Sequence, residues 1–393
     1  MVHPPDGKSA AWGLLCAALV LSWQALTVRY NYAGNWSGLY CTGANVRIPP
    51  ALAGENIYRV GNPNGWDGQF YHLIAHDPLA AHGMSKYIDL PRLRYRRILI
   101  PGLAWLLALS DGEHIDTAYR AVVLLFFGLG AYWLSSLAAL YGHSRAWSLA
   151  FVCTPAAIVS MDRMALDVGL AAFVMAFAVY SRNDEAGWKL FPVLALAALV
   201  RDTGLLLVAA YCLWLLVRKR VRRAVIFAAA ALPTLAWYTY IALQTPPPAH
   251  GRRIAPPLSG VLDRLVHPMT YPFSPVANSV IQGFDYLAVA GILLALAIAF
   301  PVARKTGFSS RGWAMVLFVL LGVFVWQPGD WVEAYDYGRI LSPLLILLAL
   351  EPLDQFAWLP LAPLCLVLPR CVFQMAPQAL AVLRGVAGLA KLH

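Results

Sequence analysis

Three kinds of residue in this chain could do chemistry. The first is Asp67, in Gly65-Trp66-Asp67-Gly68-Gln69-Phe70-Tyr71, a stretch that runs on to Asp77-Pro78. A carboxylate set among aromatics can accept a proton from a hydroxyl. The second is the run Arg92, Arg94, Arg96 and Arg97, just ahead of an apolar segment. The planar guanidinium fork binds phosphate bidentately, and cations of this kind stabilise a phosphate as it leaves. The third is a pair of acid–base doublets, Asp162-Arg163 and Arg201-Asp202, each set between apolar runs. Arg339, after Tyr335-Asp336-Tyr337, stands beside a further apolar run. A proton acceptor among phosphate-binding cations suits transfer of a group from a phosphate to a hydroxyl.

Each feature also has a plainer reading. Asp67 sits where a helix N-cap would sit, and Pro78 would stop that helix. Trp66 and Tyr71 would then be interfacial anchors on a short helix lying along a membrane surface. On it, Phe70, Leu73, Ile74 and Asp77 share one face, and Gln69, His72 and His76 another. The arginine run would serve as a patch for anionic lipid. The two doublets would be local ion pairs that let a helix break, and Arg339 would snorkel to an interface. His72 and His76 have the spacing of metal ligands. No third ligand is legible, so they read as a solvated pair. The six cysteines form no zinc or disulfide pattern.

The elements that must position these residues are apolar. Of 393 residues, 60% are hydrophobic and 13% charged, against about 25% charged in a soluble domain. Apolar runs recur near 10–28, 98–110, 118–140, 147–161, 164–180, 190–217, 224–243, 284–303, 312–326, 340–350, 357–372 and 377–390. A membrane span needs roughly 20 apolar residues. The fold class is therefore all-α: a polytopic transmembrane helical bundle of about ten to twelve membrane segments. It reads as one membrane domain over 1–393. Residues 10–28 read as a retained first span, since no clean cleavage site follows. The net charge of +10 lies in short clusters between apolar runs. That is the pattern of membrane orientation and excludes a nucleic-acid footprint. Arginine supplies 24 of the 30 basic residues, a bias that suggests a bacterial genome rich in G and C.

Two polar stretches interrupt the runs. Residues 29–97 form a large first loop, and 244–283 a Pro-rich one. The cluster from Arg218 to Arg223 and the set Arg304, Lys305 and Arg311 predict cytoplasmic loops. Both long loops then lie outside, with 328–338 and its Asp330, Glu333 and Asp336. In the first half, two dispositions satisfy the count. Either 98–110 spans and 190–217 crosses once, or 98–110 only dips in and 190–217 is two half-helices with Arg201 facing outward. The second is preferred, because intramembrane charges face a cavity or a partner and irregular backbone survives at depth only beside protein or water. The arginine run 92–97 then lies on the outer side, against the orientation rule, which argues for a task other than orientation.

A first span followed by a large outer loop bearing an Asp in a Trp-Asp-Gly setting resembles the GT-C glycosyltransferases. The likeness is closest to bacterial relatives of the mannosyltransferases of GPI-anchor assembly and to cell-surface glycopolymer formation proteins. It rests on Trp66-Asp67-Gly68-Gln69, the basic run into Pro101, Pro155 with Asp162-Arg163, and Arg201-Asp202. It implies a polyprenyl-phosphate sugar donor, a glycan or glycolipid acceptor, and work on the outer side of a bacterial inner membrane. Asp67 would be the catalytic base. Arg96, Arg97, Arg201 and Arg339 would hold phosphate. Asp162 would position sugar hydroxyls or a divalent cation, and Trp66, Gln69, Tyr71, Arg163 and Asp202 would complete the substrate site. No Asp-x-Asp or Glu-x-Asp pair accompanies Asp67, so no metal ligand is assigned. The alternative is a transporter or flippase for a lipid-linked or anionic substrate, which would also want intramembrane Arg and Asp. Transporters often carry paired repeats with broken helices in both halves, and no repeat is legible here.

Overall fold

A computed structural model describes residues 7–182, 187–247, 256–271, 273–324, 331, 333–355 and 358–390. Parts of the Pro-rich stretch (248–255 and 272) and residues 325–330, Asp330 included, lie outside them. The described chain is a helical bundle, 77% helical. Its first half runs through α1 (Gly7–Asn31), α2 (Asp67–His76), α3 (Pro91–Tyr95), α4 (Leu99–Leu107), α5 (Gly112–Leu140), α6 (Pro155–Arg163), α7 (Asp167–Tyr180), α8 (Gly187–Val200) and α9 (Leu205–Val217). The second half adds α10 (Val221–Ala228), α11 (Leu232–Gln244), α12 (Ser259–Val266), α13 (Pro275–Lys305), α14 (Ser310–Phe324), α15 (Ala334–Ile340), α16 (Ser342–Ala349), α17 (Glu351–Gln355), α18 (Ala362–Phe373) and α19 (Ala376–Ala390). The only strands among the described residues, β1 (Thr42–Gly43) and β2 (Arg59–Val60), pair in parallel within the first loop.

Among the described residues, four helical stretches are long and apolar enough to cross a membrane: α1, α5, Val221–Gln244 and α13. A fifth arises if α18 and α19, bent by 57° at their junction, count as one. Five further apolar helices are only 10–17 residues long. Several of the apolar runs thus fold as half-length helices, and they end at the charged residues. The run 147–161 becomes a 3-10 stretch, Arg145–Cys153, and then α6, which stops at Asp162-Arg163 where Met164 turns left-handed (φ 48°). Residues 190–217 break at Arg201, as the two-half-helix disposition expects. Gly204 then lies directly against the backbone carbonyl of Ala197, so α9 folds back on α8. α4 has nine residues, about 14 Å of helix, too short to span.

The surface-helix expectation for 67–76 is corrected. α2 is buried along Gly68, Gln69, Tyr71, His72, Leu73, Ile74 and Ala75, under α4 and α5. Its apolar and polar faces both find neighbours, so it is part of the core rather than a raft on it. The outward faces of the long helices are apolar, with Leu14, Leu19, Val225, Leu232 and Phe300 exposed. Polar side chains such as Ser9, Gln24 and Thr27 of α1 point inward. A buried ion pair, Arg370 Nε to Asp285 Oδ1 at 2.7 Å, ties α18 to α13. The Tyr271 hydroxyl donates to the other oxygen of Asp285 at 2.7 Å. Arg311, read from sequence as an orienting loop charge, is buried against Glu351 instead.

Candidate active site

Asp67 is the first helical residue of α2, and Trp66 holds the N-cap position without a side-chain cap bond. The capping reading therefore fails. Both carboxylate oxygens go to cations from distant elements. Arg94 of α3 donates from Nη1 to Oδ1 at 2.8 Å, and Arg339 of α15 from Nη1 to Oδ2 at 2.8 Å. Burial alone would raise the Asp67 pKa. Arg339, then Arg94 and Arg97, outweigh it and hold the carboxyl well below the usual carboxylate range.

The two cations extend the network. Arg94 grips Asp89 with Nε and Nη2 at 2.9 and 2.8 Å and lies 4.7 Å from the Phe70 ring centroid. Arg339 donates to Asp336 at 2.9 Å and reaches Asp167 of α7 at 3.8 Å. Asp167 is in turn the ion-pair partner of Arg201. Acids and bases thus alternate from Asp89 through Arg94, Asp67, Arg339 and Asp167 to Arg201. Each buried charge faces an opposite one, as low-dielectric surroundings require.

A cavity of about 550 Å³ opens on this ladder, a size typical of ligand pockets. Trp66, Asp67, Gln69, Arg163 and Arg339 line it, joined by Arg94, Asp89, Asp336 and Tyr335. Arg163 is clamped between the Trp66 ring (3.3 Å to its centroid) and the Tyr335 ring (4.3 Å). Its Nε donates to Asp162 at 3.1 Å, and its buried Nη1 has no hydrogen-bond partner among the described residues. A guanidinium fixed in this way on the wall of a cavity is a cation that an anion there can pair with.

The remaining expected residues stand behind this wall. Arg97 donates to the Tyr71 hydroxyl at 2.8 Å and approaches Asp202 at 3.7 Å. Asp202 accepts from Tyr238 at 2.6 Å, and Arg96 lies over the Tyr238 ring at 4.8 Å. Asp162 is filled by three donors: Tyr335 at 2.9 Å, Gln378 at 2.6 Å and Arg163. Gln69 spends its amide on the backbone, accepting from Gly43 at 3.0 Å and donating to Asn64 at 2.8 Å; it shapes the loop beneath the cavity. Sequence reasoning put Arg94 in the basic run but chose Arg96 and Arg97, and it missed Asp167 and Asp336 as site residues. Asp167 did carry a signal, since it is an ionisable residue inside an apolar run.

α2 can approach α6 this closely because residue 68 is glycine. A Cβ there would strike the carbonyl oxygen of Arg163 and stand 3.0 Å from that of Tyr40. Both are backbone atoms and cannot rotate away. Gly68→Ala is expected to cost about 1–3 kcal/mol by overpacking and to push Asp67 off Arg339. Thermal unfolding in detergent checks this; an unshifted midpoint would refute the close-packing account. No protein-family model, curated protein or solved structure matches the chain.

Proposed function

We propose that the chain is a membrane glycosyltransferase of GT-C type, moving one sugar from a polyprenyl-phosphate donor to a glycan or glycolipid hydroxyl on the outer side of a bacterial inner membrane. The observation that carries this reading is Asp67, ion-paired to Arg94 and Arg339, with Arg163 beside them on the wall of one cavity. In the reaction, the acceptor oxygen bonds to the sugar's anomeric carbon as the bond from that carbon to the phosphate oxygen breaks. The acceptor's proton goes to Asp67, and the prenyl phosphate leaves with the electron pair. Arg163, Arg339 and Arg94 are the cations placed to meet that phosphate.

The ion pairs on Asp67 supply a gate. A carboxylate held by two guanidiniums is a poor proton acceptor. An anionic donor competes for Arg339 and Arg94, and each contact it takes frees Asp67 and raises its proton affinity. Donor binding thereby arms the base.

α6 supports a lipid-linked donor. Val159 and Arg163, four apart, face the cavity. Ile158 and Met161 face an apolar groove of about 590 Å³ on the other side. Trp23, Cys153, Val372, Phe373 and Met375 also line that groove. A prenyl chain in the groove would bring its phosphate round the end of α6 to Arg163. The outward apolar faces of the long helices fit a bilayer; in this reading 29–97 and 244–283 lie outside and 218–223 and 304–311 in the cytoplasm, as the basic-loop rule expects.

A cation-walled cavity would serve a flippase as well, and one experiment separates the two. Surface glycans and lipid extracts are compared between a strain lacking the gene and its parent. Transfer predicts surface glycans short of one sugar, with the sugar–prenyl phosphate accumulating. An intact lipid-linked glycan trapped in the membrane would instead point to the flippase.

A further inference from the structure

We infer that Glu55, His72, His76 and Asp116 form a binding site for a divalent transition metal of the zinc class, separate from the cavity and independent of the glycosyltransferase reading. His72 and His76 lie one turn apart on α2, and Glu55 comes from the first loop; the ligand atoms of these three lie within 4.8 Å of one another. The two imidazoles meet through their Nε2 atoms at 3.2 Å. Glu55 approaches His72 Nε2 and His76 Nε2 at 3.7 Å each. Asp116, on the first turns of α5, brings Oδ1 to 2.8 Å from His72 Nε2.

A network of hydrogen bonds does not account for this convergence. His72 Nε2 faces three partners but has one position, either a proton or a lone pair. Whichever it offers, the others go unserved. Asp116 Oδ1, at 2.8 Å, can take the one hydrogen bond that His72 Nε2 has to give, which leaves the facing His76 Nε2 and the Glu55 carboxylate without a bond from it. A cation among Glu55, His72 and His76 satisfies these three at once, with Asp116 beside His72 as a fourth oxygen. Tetrahedral zinc with bonds of about 2.0–2.2 Å sets its ligand atoms about 3.4 Å apart, close to the 3.2 and 3.7 Å among His72, His76 and Glu55. Two imidazoles with carboxylates select zinc, iron, cobalt or manganese, whereas magnesium and calcium prefer oxygen ligands.

The site is built in advance. His72 is 1% exposed, and its ring stacks on Tyr40 at 4.2 Å with 10° between planes. The side chains of Glu55 and Asp116 are each 33% exposed, which gives an ion a way in. None of the four lines the cavity. The metal would clamp α2 to α5 and to the first loop, five residues along from Asp67, so it fixes the helix that presents the carboxylate.

The test uses the full chain, purified in detergent on a tag without histidine, stripped with chelator and then offered zinc or magnesium. Close to one zinc per chain should survive gel filtration, and magnesium should not. Zinc should raise the thermal midpoint of the stripped protein. His76→Gln and Glu55→Gln should each weaken zinc binding by about tenfold or more and abolish the thermal shift, while His82→Gln, at an exposed position, should change neither. Glu55 lies on a half-exposed loop, so its variant keeps the test alive if His76→Gln fails to fold. Zinc lost on gel filtration from the wild type, magnesium held equally well, or zinc retained equally by both variants would overturn the site.

Discussion

Asp67→Asn is expected to leave a folded chain whose transfer rate has fallen by about 10² to 10⁴. Asparagine keeps the size and shape of the side chain but cannot take the acceptor's proton. The fold should tolerate it, because neither cation is stranded. Arg94 keeps its two contacts with Asp89, and Arg339 keeps Asp336 and Asp167. Release of prenyl phosphate, assayed per folded molecule with lipid donor extracted from a strain lacking the gene, measures the effect. A purely structural ion pair predicts the opposite pattern, with less folded protein and a normal rate in what remains. A rate within a few-fold of wild type would therefore remove Asp67 from the chemistry.

How much of this was legible in the sequence depends on distance along the chain. The charged doublets stood out because they interrupt apolar runs, and the break at Arg201 followed from the cost of a guanidinium in hydrocarbon. The choice among four arginines did not follow. It is set by the register of α3 and the turn that follows it: Arg94 and Arg97, three apart, turn to Asp67 and Tyr71, while Arg92 caps the carbonyls of Ala242 and Thr245. The partners of the histidines were hidden for a similar reason. Glu55 and Asp116 are 17 residues before and 44 residues after His72, and no local pattern joins them. The solvated pair expected at His72 and His76 is instead enclosed, since α2 sinks into the core where a surface helix was expected. Fewer helices reach spanning length among the described residues than there are apolar runs, because an apolar run fixes composition, whereas helix length is fixed by where charges and prolines stop it.

The largest stability effect is expected at the inner end of the charge ladder. Arg201, the phosphate-holding residue expected from the sequence, lies behind the cavity wall with Asp167 as its counter-ion, and it is 8% exposed. Removing one member of a buried pair strands the other, at about 3–5 kcal/mol. Arg201→Gln should therefore sharply lower the yield of folded protein, because Asp167 is left with only the more distant Arg339, at 3.8 Å. Asp167→Asn should do likewise by stranding Arg201. The double variant, Arg201→Gln with Asp167→Asn, buries two neutral amides able to hydrogen-bond each other, so much of the folded yield should return. A coupling of this sign is the mark of a direct pair. The donor dependence of the double variant then separates the two roles open to Arg201. If it acts by steadying Asp167, and through it Arg339, the rescued protein should need donor at concentrations within a few-fold of wild type. A double variant that folds fully yet demands far more donor would return Arg201 to the phosphate.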